Sequence, residues 1–405
     1  MLTFEYTARD PATGEKITAQ VEADSEQAAA QLIHKEGVAP IEIKLKEADT
    51  KGVNKILHRV KTKDKVLFSR QLSTLINAGL PLVQSLRNVA GQTQNKAFQV
   101  VINRVISDVE GGTSFSVALS RHPRIFDNVF VNLVAAGEAS GTLDTSLERI
   151  ANQQEKDAEI LSKIRGAMVY PVIVLFVMVA VVIFMVVKVL PAVEEVYKGL
   201  PGTQLPLVTK VLLWVSHFTT KFWWVELIIV GIIAFGTTRW ARSGGGKEVI
   251  DKLKMRMWPI GRLFMKVYMA RFTRVGSTLV SSGVPLIQML DITGKAINNI
   301  HIERSINAAA EKVKGGKALS DSLQGDPNFL TLVPDMLHIG EQSGSIEQML
   351  DKTADYYERE VDNEIRAIST IIEPVLMILM GIVAITIVTA VLLPVYSLVG
   401  KDLIK

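Results

Sequence analysis

The chain has 405 residues, of which 48% are hydrophobic and 21% charged, enough for two or three domains at about 150 residues each and a balance that predicts soluble domains joined to membrane spans. It holds no cysteine, which excludes disulfide frameworks, thiolate metal sites and cysteine nucleophiles. The net charge of +4 is too small a bias to imply a nucleic-acid partner unless the basic residues cluster.

The opening MLTFEYTARD lacks the basic n-region and apolar core of a secretory signal, so the N-terminal region is expected in the cytoplasm. Phe4, Tyr6 and Ala8 alternate, as do Ile17, Ala19, Val21 and Ala23, and again Ile41, Ile43 and Leu45. Asp24 with Gln27 reads as a capping box ahead of a helix ending near Gly37. These patterns predict strand, strand, helix, strand: a small α+β module over 1–48. A basic linker over 49–63 follows, with Lys51, Lys55, Arg59, Lys61 and Lys63. It is either a solvated tether or a contact for anionic lipid headgroups, worth about 1 kcal/mol per residue near the surface. It lacks the interleaved aromatics that stacking on nucleic acid needs.

From residue 64 the chain reads as helical. Phe68, Leu72, Leu75 and Ile76 form one amphipathic stripe, with Asp64 as an N-cap. Gly79 suits the left-handed position past the helix end and Pro81 the first turn of the next helix. The same pattern returns further on. FSRQLSTLINAGLPLVQSL from Phe68 aligns without a gap on FTRVGSTLVSSGVPLIQML from Phe272, pairing Arg70 with Arg274, Gly79 with Gly283 and Pro81 with Pro285 at a separation of 204 residues. Gly112 then pairs with Gly316. One residue later drops out, and at 203 residues Gly137-Glu138 pairs with Gly340-Glu341, Ser140-Gly141 with Ser343-Gly344, Glu155 with Glu358, Pro171 with Pro374 and Pro191 with Pro394. Two helical domains, 64–165 and 239–371, are therefore expected as copies, and the duplication runs on into the membrane.

Three runs are apolar enough to cross a bilayer. Gly166 to Val187 carries no charge between Arg165 and Lys188 and reaches about 33 Å as a helix; the span is placed at 166–190. The second, 222–238, opens with Phe222, Trp223 and Trp224, aromatics suited to a membrane interface. The third, 372–397, begins beside Glu373. Lysine and arginine crowd the segment from Arg239 to Arg274, opposed by only Glu248 and Asp251. The positive-inside rule therefore puts the loop 191–221 and the tail 398–405 outside, and both helical domains in the cytoplasm. Thr142 could cap a helix running through Leu161 and on to Leu190, about 72 Å long if continuous; Ser345 and Gln348 form a capping-box pattern for its copy. Pro171 and Pro374, where each helix enters the membrane, are expected to kink it.

Chemistry is harder to find. Gly244, Gly245, Gly246 and Lys247 fail the phosphate-loop pattern because Glu248 stands where Ser or Thr is required. The histidines at 34, 58, 122, 217, 301 and 338 show no ligand spacing, and no serine sits in a nucleophile elbow. A transporter would place ionisable groups near the middle of several spans, and these spans have clean centres. The most specific polar signal is the repeated G-E-x-S-G: Gly137, Glu138 and Gly141, then Gly340, Glu341 and Gly344. Two readings stand: helix termination with the acid near the N-terminus of the following helix, or a docking contact for a partner. Glu373 is an interfacial carboxylate or a contact to a neighbouring helix, and with Pro171 and Pro374 it marks the second candidate site.

Taken together, the duplicated helical domain with R-Q-L-S-T-L-I-N-A-G-L-P-L from Arg70, the two G-E-x-S-G segments, the I-E-P from Ile372 and the N-terminal F-E-Y-T-A-R-D followed by G-E-K resemble one family over nearly the whole chain. It is the bacterial secretion F family, the inner-membrane platform proteins of type IV pilus and type II secretion machines. One departure is Tyr170 before Pro171, where the second copy has Glu373. The resemblance implies a mainly α, multi-pass inner-membrane platform without enzymatic activity, of the pilus branch. It implies a cytoplasmic assembly or retraction ATPase, pilin or pseudopilin, other inner-membrane pilus assembly proteins, membrane lipids and a further copy of itself as partners, and no nucleic acid; the residues offer no cofactor site and no metal-ligand set, which leaves metal binding open. The rival readings are a type II secretion platform and an unrelated signalling or transport protein.

Overall fold

The computed structural model describes residues 2–9, 16–23, 26–35, 39–45, 60–198, 207–241, 243–258 and 260–402. Asp24, Gly37, Lys51, Lys55 and Arg59 lie outside the described residues, so the first capping box and most of the basic linker do too. The chain divides into two compact units, one of Met1–Ala158 with Arg274–Ala296, the other of Glu159–Thr273 with Ile297–Lys405.

The first unit opens with β1 (Leu2–Arg9), β2 (Lys16–Ala23), α1 (Glu26–Lys35) and β3 (Ala39–Leu45). The sheet is antiparallel in the order β2-β1-β3, so β1 pairs on both sides: Tyr6 faces Ala19 on one and Ile43 on the other. Tyr6, Ala8 and Ile33 form its core against Ala19 and Val21, the face the period-two pattern predicts.

Among the described residues, five helices follow: α2 (Thr62–Asn77), α3 (Leu82–Gln92), α4 (Lys96–Glu110), α5 (Phe115–Ser120) and α6 (Asn128–Ser140), and then the long α7 (Leu143–Phe184) begins. The expected stripe is inside: Phe68 and Leu72 are buried, and Phe68 meets Phe98 at 5.3 Å and Phe126 at 5.7 Å between ring centres, distances that favour tilted aromatic packing. Helix α2 starts three residues earlier than the sequence suggests. Asp64 is not the N-cap; it sits in the first turn, where its carboxylate accepts from Lys61 N–H and Asn95 Nδ2, both at 2.9 Å. Asn95 in turn caps α4 by accepting from Phe98 N–H.

The second repeat does not stay together. Its opening hairpin, at 274–296 on α11 (Ile260–Ser281) and α12 (Leu286–Ile297), belongs to the first unit, where Arg149 donates to the hydroxyls of Ser281 and Ser282 and Gln288 Nε2 donates to Asn132 Oδ1 at 3.2 Å. Sequence similarity reports which residues match, not which residues they pack against, so the expected domain 239–371 and this compact unit are different divisions of the chain.

The second unit takes the remainder of α7, a π-helical turn at Met185–Val189, α8 (Leu190–Lys198), α9 (Leu207–Ala241), α10 (Gly244–Arg256), the start of α11, and α13 (Ile300–Lys314), α14 (Leu319–Leu323), α15 (Leu332–Ser343) and α16 (Ile346–Asp402). Details of the first repeat recur. Asn299 caps α13 as Asn95 caps α4, and Phe272 meets Phe329 at 5.2 Å where the first copy has Phe68 and Phe126. Among the described residues, three helices are long and apolar enough to cross a membrane, Leu143–Glu195, Ser216–Ala241 and Ile346–Thr389. The fold is mainly α, with two related helical segments, three membrane helices and a small α+β module.

Candidate functional site

The G-E-x-S-G segments turn out to be two copies of one corner, and each residue of the motif has its own task. Gly137 lies where α6 passes α7: a Cβ there would stand 2.5 Å from Ser146 Oγ and 3.1 Å from Leu143 Cα. Gly340 is equally confined, with Ile346 Cα at 2.9 Å from the same imagined atom. Gly141 and Gly344 end their helices with φ of 73° and 68°, the left-handed region where glycine has no steric penalty. Between them Ser140 and Ser343 donate back to the carbonyls of Ala136 and Ile339, each at 2.7 Å. Thr142 and Ser345, expected as caps, pair their hydroxyls with Ser140 and Ser343 at 2.7 and 2.6 Å.

The two glutamates work on a different helix from the one the sequence points to. Glu138 accepts from Phe115 N–H at 2.5 Å, Ser116 N–H at 2.9 Å and Ser116 Oγ at 2.5 Å. Glu341 accepts from Leu319 N–H at 2.6 Å, Ser320 N–H at 3.3 Å and Ser320 Oγ at 2.5 Å. Each carboxylate therefore closes the N-terminus of the short helix before its own, α5 or α14, and not of the helix that follows. Charge-assisted bonds to a helix N-terminus are the stronger kind. Ala139, Ser140, Gly141 and Thr142 stay exposed at the first corner, and Gln342, Ser343 and Gly344 at the second.

Below the first membrane run lies a feature that the sequence did not disclose. In the second unit, Leu263 of α11 packs with Val361, Ile365 and Ile368 of α16, and Ile160, Ile164 and Ala167 of α7 join them. Ion pairs border this stem: Lys163 Nζ stands 2.6 Å from Asp362 Oδ2, and Lys266 Nζ lies 2.9 Å from Glu360 Oε2 and 2.5 Å from Glu364 Oε2. Burial alone would lower the Lys266 ammonium, but the two carboxylates outweigh it and hold it above the ordinary lysine value. The hydrogen bond from Lys266 keeps Glu360 below the usual carboxylate range. In the first unit, Arg70 Nε and Nη2 grip Glu155 at 2.6 and 2.5 Å, which holds that carboxyl low as well. A usable signal existed there, since Arg70 and Glu155 both recur in the second copy.

Neither proline interrupts its helix. Pro171 lies within the unbroken α7, buried, and Pro374 within the unbroken α16, exposed beside exposed Glu373. Two departures from regular helical geometry lie at other positions. Leu190 N–H donates to Met185 O, five residues back, which makes the π turn. Pro191 has no N–H, so the next acceptor in that register, Val186 O, receives the Ser216 hydroxyl of α9 instead. Val186, Leu190 and Leu213 pack around this contact. A second irregularity sits at Phe222, whose φ of −116° and ψ of 22° break the helical geometry inside α9. That is where the second span was expected to begin. Among the described residues, no three of His, Asp and Glu gather to hold a metal ion.

Comparison with known proteins gives these features a family. The family model for the type II secretion system protein F matches twice, over residues 68–191 and 272–394, and the model for its N-terminal domain matches residues 1–44. The two ranges are the two copies seen in the sequence. A type IV pilus assembly protein PilC of Thermus thermophilus is 38% identical over 405 residues, covering 99% of each chain. Another PilC, from Myxococcus xanthus, is 35% identical over 96% of this chain and 93% of its own. A type II secretion system protein F of Pseudomonas aeruginosa is 34% identical over 98% and 99%. This chain belongs to the type II secretion system protein F family.

Proposed function

We propose that this protein is the multi-pass inner-membrane platform of a type IV pilus machine, without enzymatic activity of its own. The observation that carries the reading is the end-to-end relationship with the T. thermophilus pilus assembly protein. On this reading both helical domains and the N-terminus face the cytoplasm, the loop 191–221 and the tail 398–405 face outward, and the basic run from Arg239 supports that orientation. A cytoplasmic hexameric ATPase docks on the helical domains, and its motion reaches the bilayer through α7 and α16, each a single helix from a G-E-x-S-G corner into the membrane. Pilin subunits then pass between bilayer and filament beside the spans.

Each corner, at Gly137, Glu138, Gly141 and at Gly340, Glu341, Gly344, forms a docking rim on its own unit in this scheme. The glutamate holds its shape and the exposed serine-glycine pair meets the partner. Pro171, Glu373 and Pro374 mark the contact level where pilin helices enter. Imaging of surface fibres in a deletion strain, with affinity purification of the ATPase and pilin from membranes, tests the reading. Fibres at wild-type density would refute it, and loss of secretion with fibres intact would favour the type II secretion branch, which the P. aeruginosa relative represents.

A further inference from the structure

We propose that α10 (Gly244–Arg256) is an amphipathic anchor that lies on the membrane surface and binds anionic phospholipid at the end of the second span. This rests on the reading of Ser216–Ala241 as membrane-crossing. One face of the helix is committed to its own unit. Asp251 is buried and accepts from Ile300 N–H at 3.2 Å and Lys254 Nζ at 3.3 Å, while Glu248 holds Arg304 Nη1 at 2.6 Å. The opposite face is apolar and uncovered. Val249, Leu253 and Met257 recur at i, i+4 and i+8 and are 53%, 56% and 42% exposed, and Trp258 beside them is 74% exposed.

The charge pattern selects the occupant. Lys252 and Arg256 run along the apolar stripe, and Arg239 and Arg262 flank the helix, all exposed. Of the two carboxylates of the helix, Asp251 is buried on the inner side and Glu248 is paired with Arg304, so the outer face presents apolar side chains within a positive rim. That is the composition of a helix seated at the headgroup boundary of an anionic leaflet. Position agrees. The helix starts directly after the apolar run ends at Ala241, and Gly246 is pressed so closely on that end that a Cβ would fall 1.9 Å from Trp240 O. The other end is pinned likewise, by Gly261 against Met255 O at 2.6 Å. Trp240 is exposed at the close of the span, where tryptophan marks a membrane interface. A protein partner would need no tryptophan at that depth and no continuity with a span.

The absence of native cysteine makes single labelling sites clean. The full chain carrying Leu253→Cys with an environment-sensitive dye, reconstituted in phosphatidylcholine vesicles with and without phosphatidylglycerol, is expected to be quenched by a shallow spin-labelled lipid. Phosphatidylglycerol should increase the quenching, and Lys252→Glu with Arg256→Glu should abolish that increase. Quenching by aqueous iodide without quenching by lipid would overturn the proposal, and so would shielding from both, which would mean a protein covers the face. A label at Gly231→Cys keeps the two readings apart: it reports deep-lipid quenching if the second span crosses, whatever α10 does.

Discussion

The Ser216 hydroxyl donates to the Val186 carbonyl, the acceptor that Pro191 leaves without a backbone donor once the helix slips into π register. A π turn is a frequent site of function, and here a neighbouring helix completes its hydrogen bonding. Ser216→Ala should cost about 1–3 kcal/mol, the usual penalty for an unsatisfied buried group. Pro191→Ala restores a donor, so the double variant should lose less than the sum of the singles. Thermal unfolding of the purified protein in detergent measures both, and strict additivity would show that the two residues do not share this carbonyl.

The corner glutamates give a matched pair of tests. Glu138→Ala and Glu341→Ala each remove a helix cap, and a loss of about 1–2 kcal/mol is expected from either. Glu138→Gln should retain part of that stability. ATPase capture by Glu138→Gln membranes should remain at wild-type level, because the carboxylate's bonding is internal; capture abolished without any fall in melting temperature would make the charge itself the docking contact.

Gly137→Ala and Gly340→Ala should be more damaging than Gly141→Ala. The first two drive a methyl group into backbone and side chain of the next helix, at about 1–3 kcal/mol for overpacking, whereas the last meets open space and costs about 1 kcal/mol for its positive φ. The ranking is read from melting temperatures, and a reversed order would refute the close-approach account.

Acid should loosen the molecule in a defined window. Glu155 and Glu360 are held below the ordinary glutamate value of 4.5 by Arg70 and Lys266. Their contribution is therefore present above that value and is lost as pH falls through the lowered one. Lys266 contributes fully below its ordinary 10.5 and loses its contribution as pH rises through its raised value. A plateau between these limits is expected in melting temperature against pH, and Glu155→Gln should flatten the acid limb. An unchanged acid limb would remove the Arg70 pair from the account.

A Gly-rich insertion after Arg165 should leave ATPase binding intact and abolish filaments, because α7 would no longer transmit motion as one rod. Normal piliation in that strain would refute the lever.

Much of this architecture was legible because it is repetitive. Phe68 and Phe272, or Gly141 and Gly344, announce their roles by recurring at fixed offset, and the apolar runs announce the spans by length. Glu138 was found but misassigned, since its partners Phe115 and Ser116 lie upstream and a cap made from the preceding element has no fixed spacing. Lys266 with Glu360 and Glu364 left no pattern at all: the stem joins three helices far apart in the chain, and only the fold brings those charges together. Pro191 was noticed as a recurring residue, yet nothing local identifies Ser216 as the donor that answers it.

The hairpin at 274–296 completes a unit that otherwise ends at Ala158. During synthesis the ribosome therefore releases the first helical bundle unfinished and must produce two bilayer crossings before Ser281 and Ser282 reach Arg149. Completion of that bundle therefore waits on the two apolar helices made before the hairpin, whereas the third, Ile346–Thr389, is made after it.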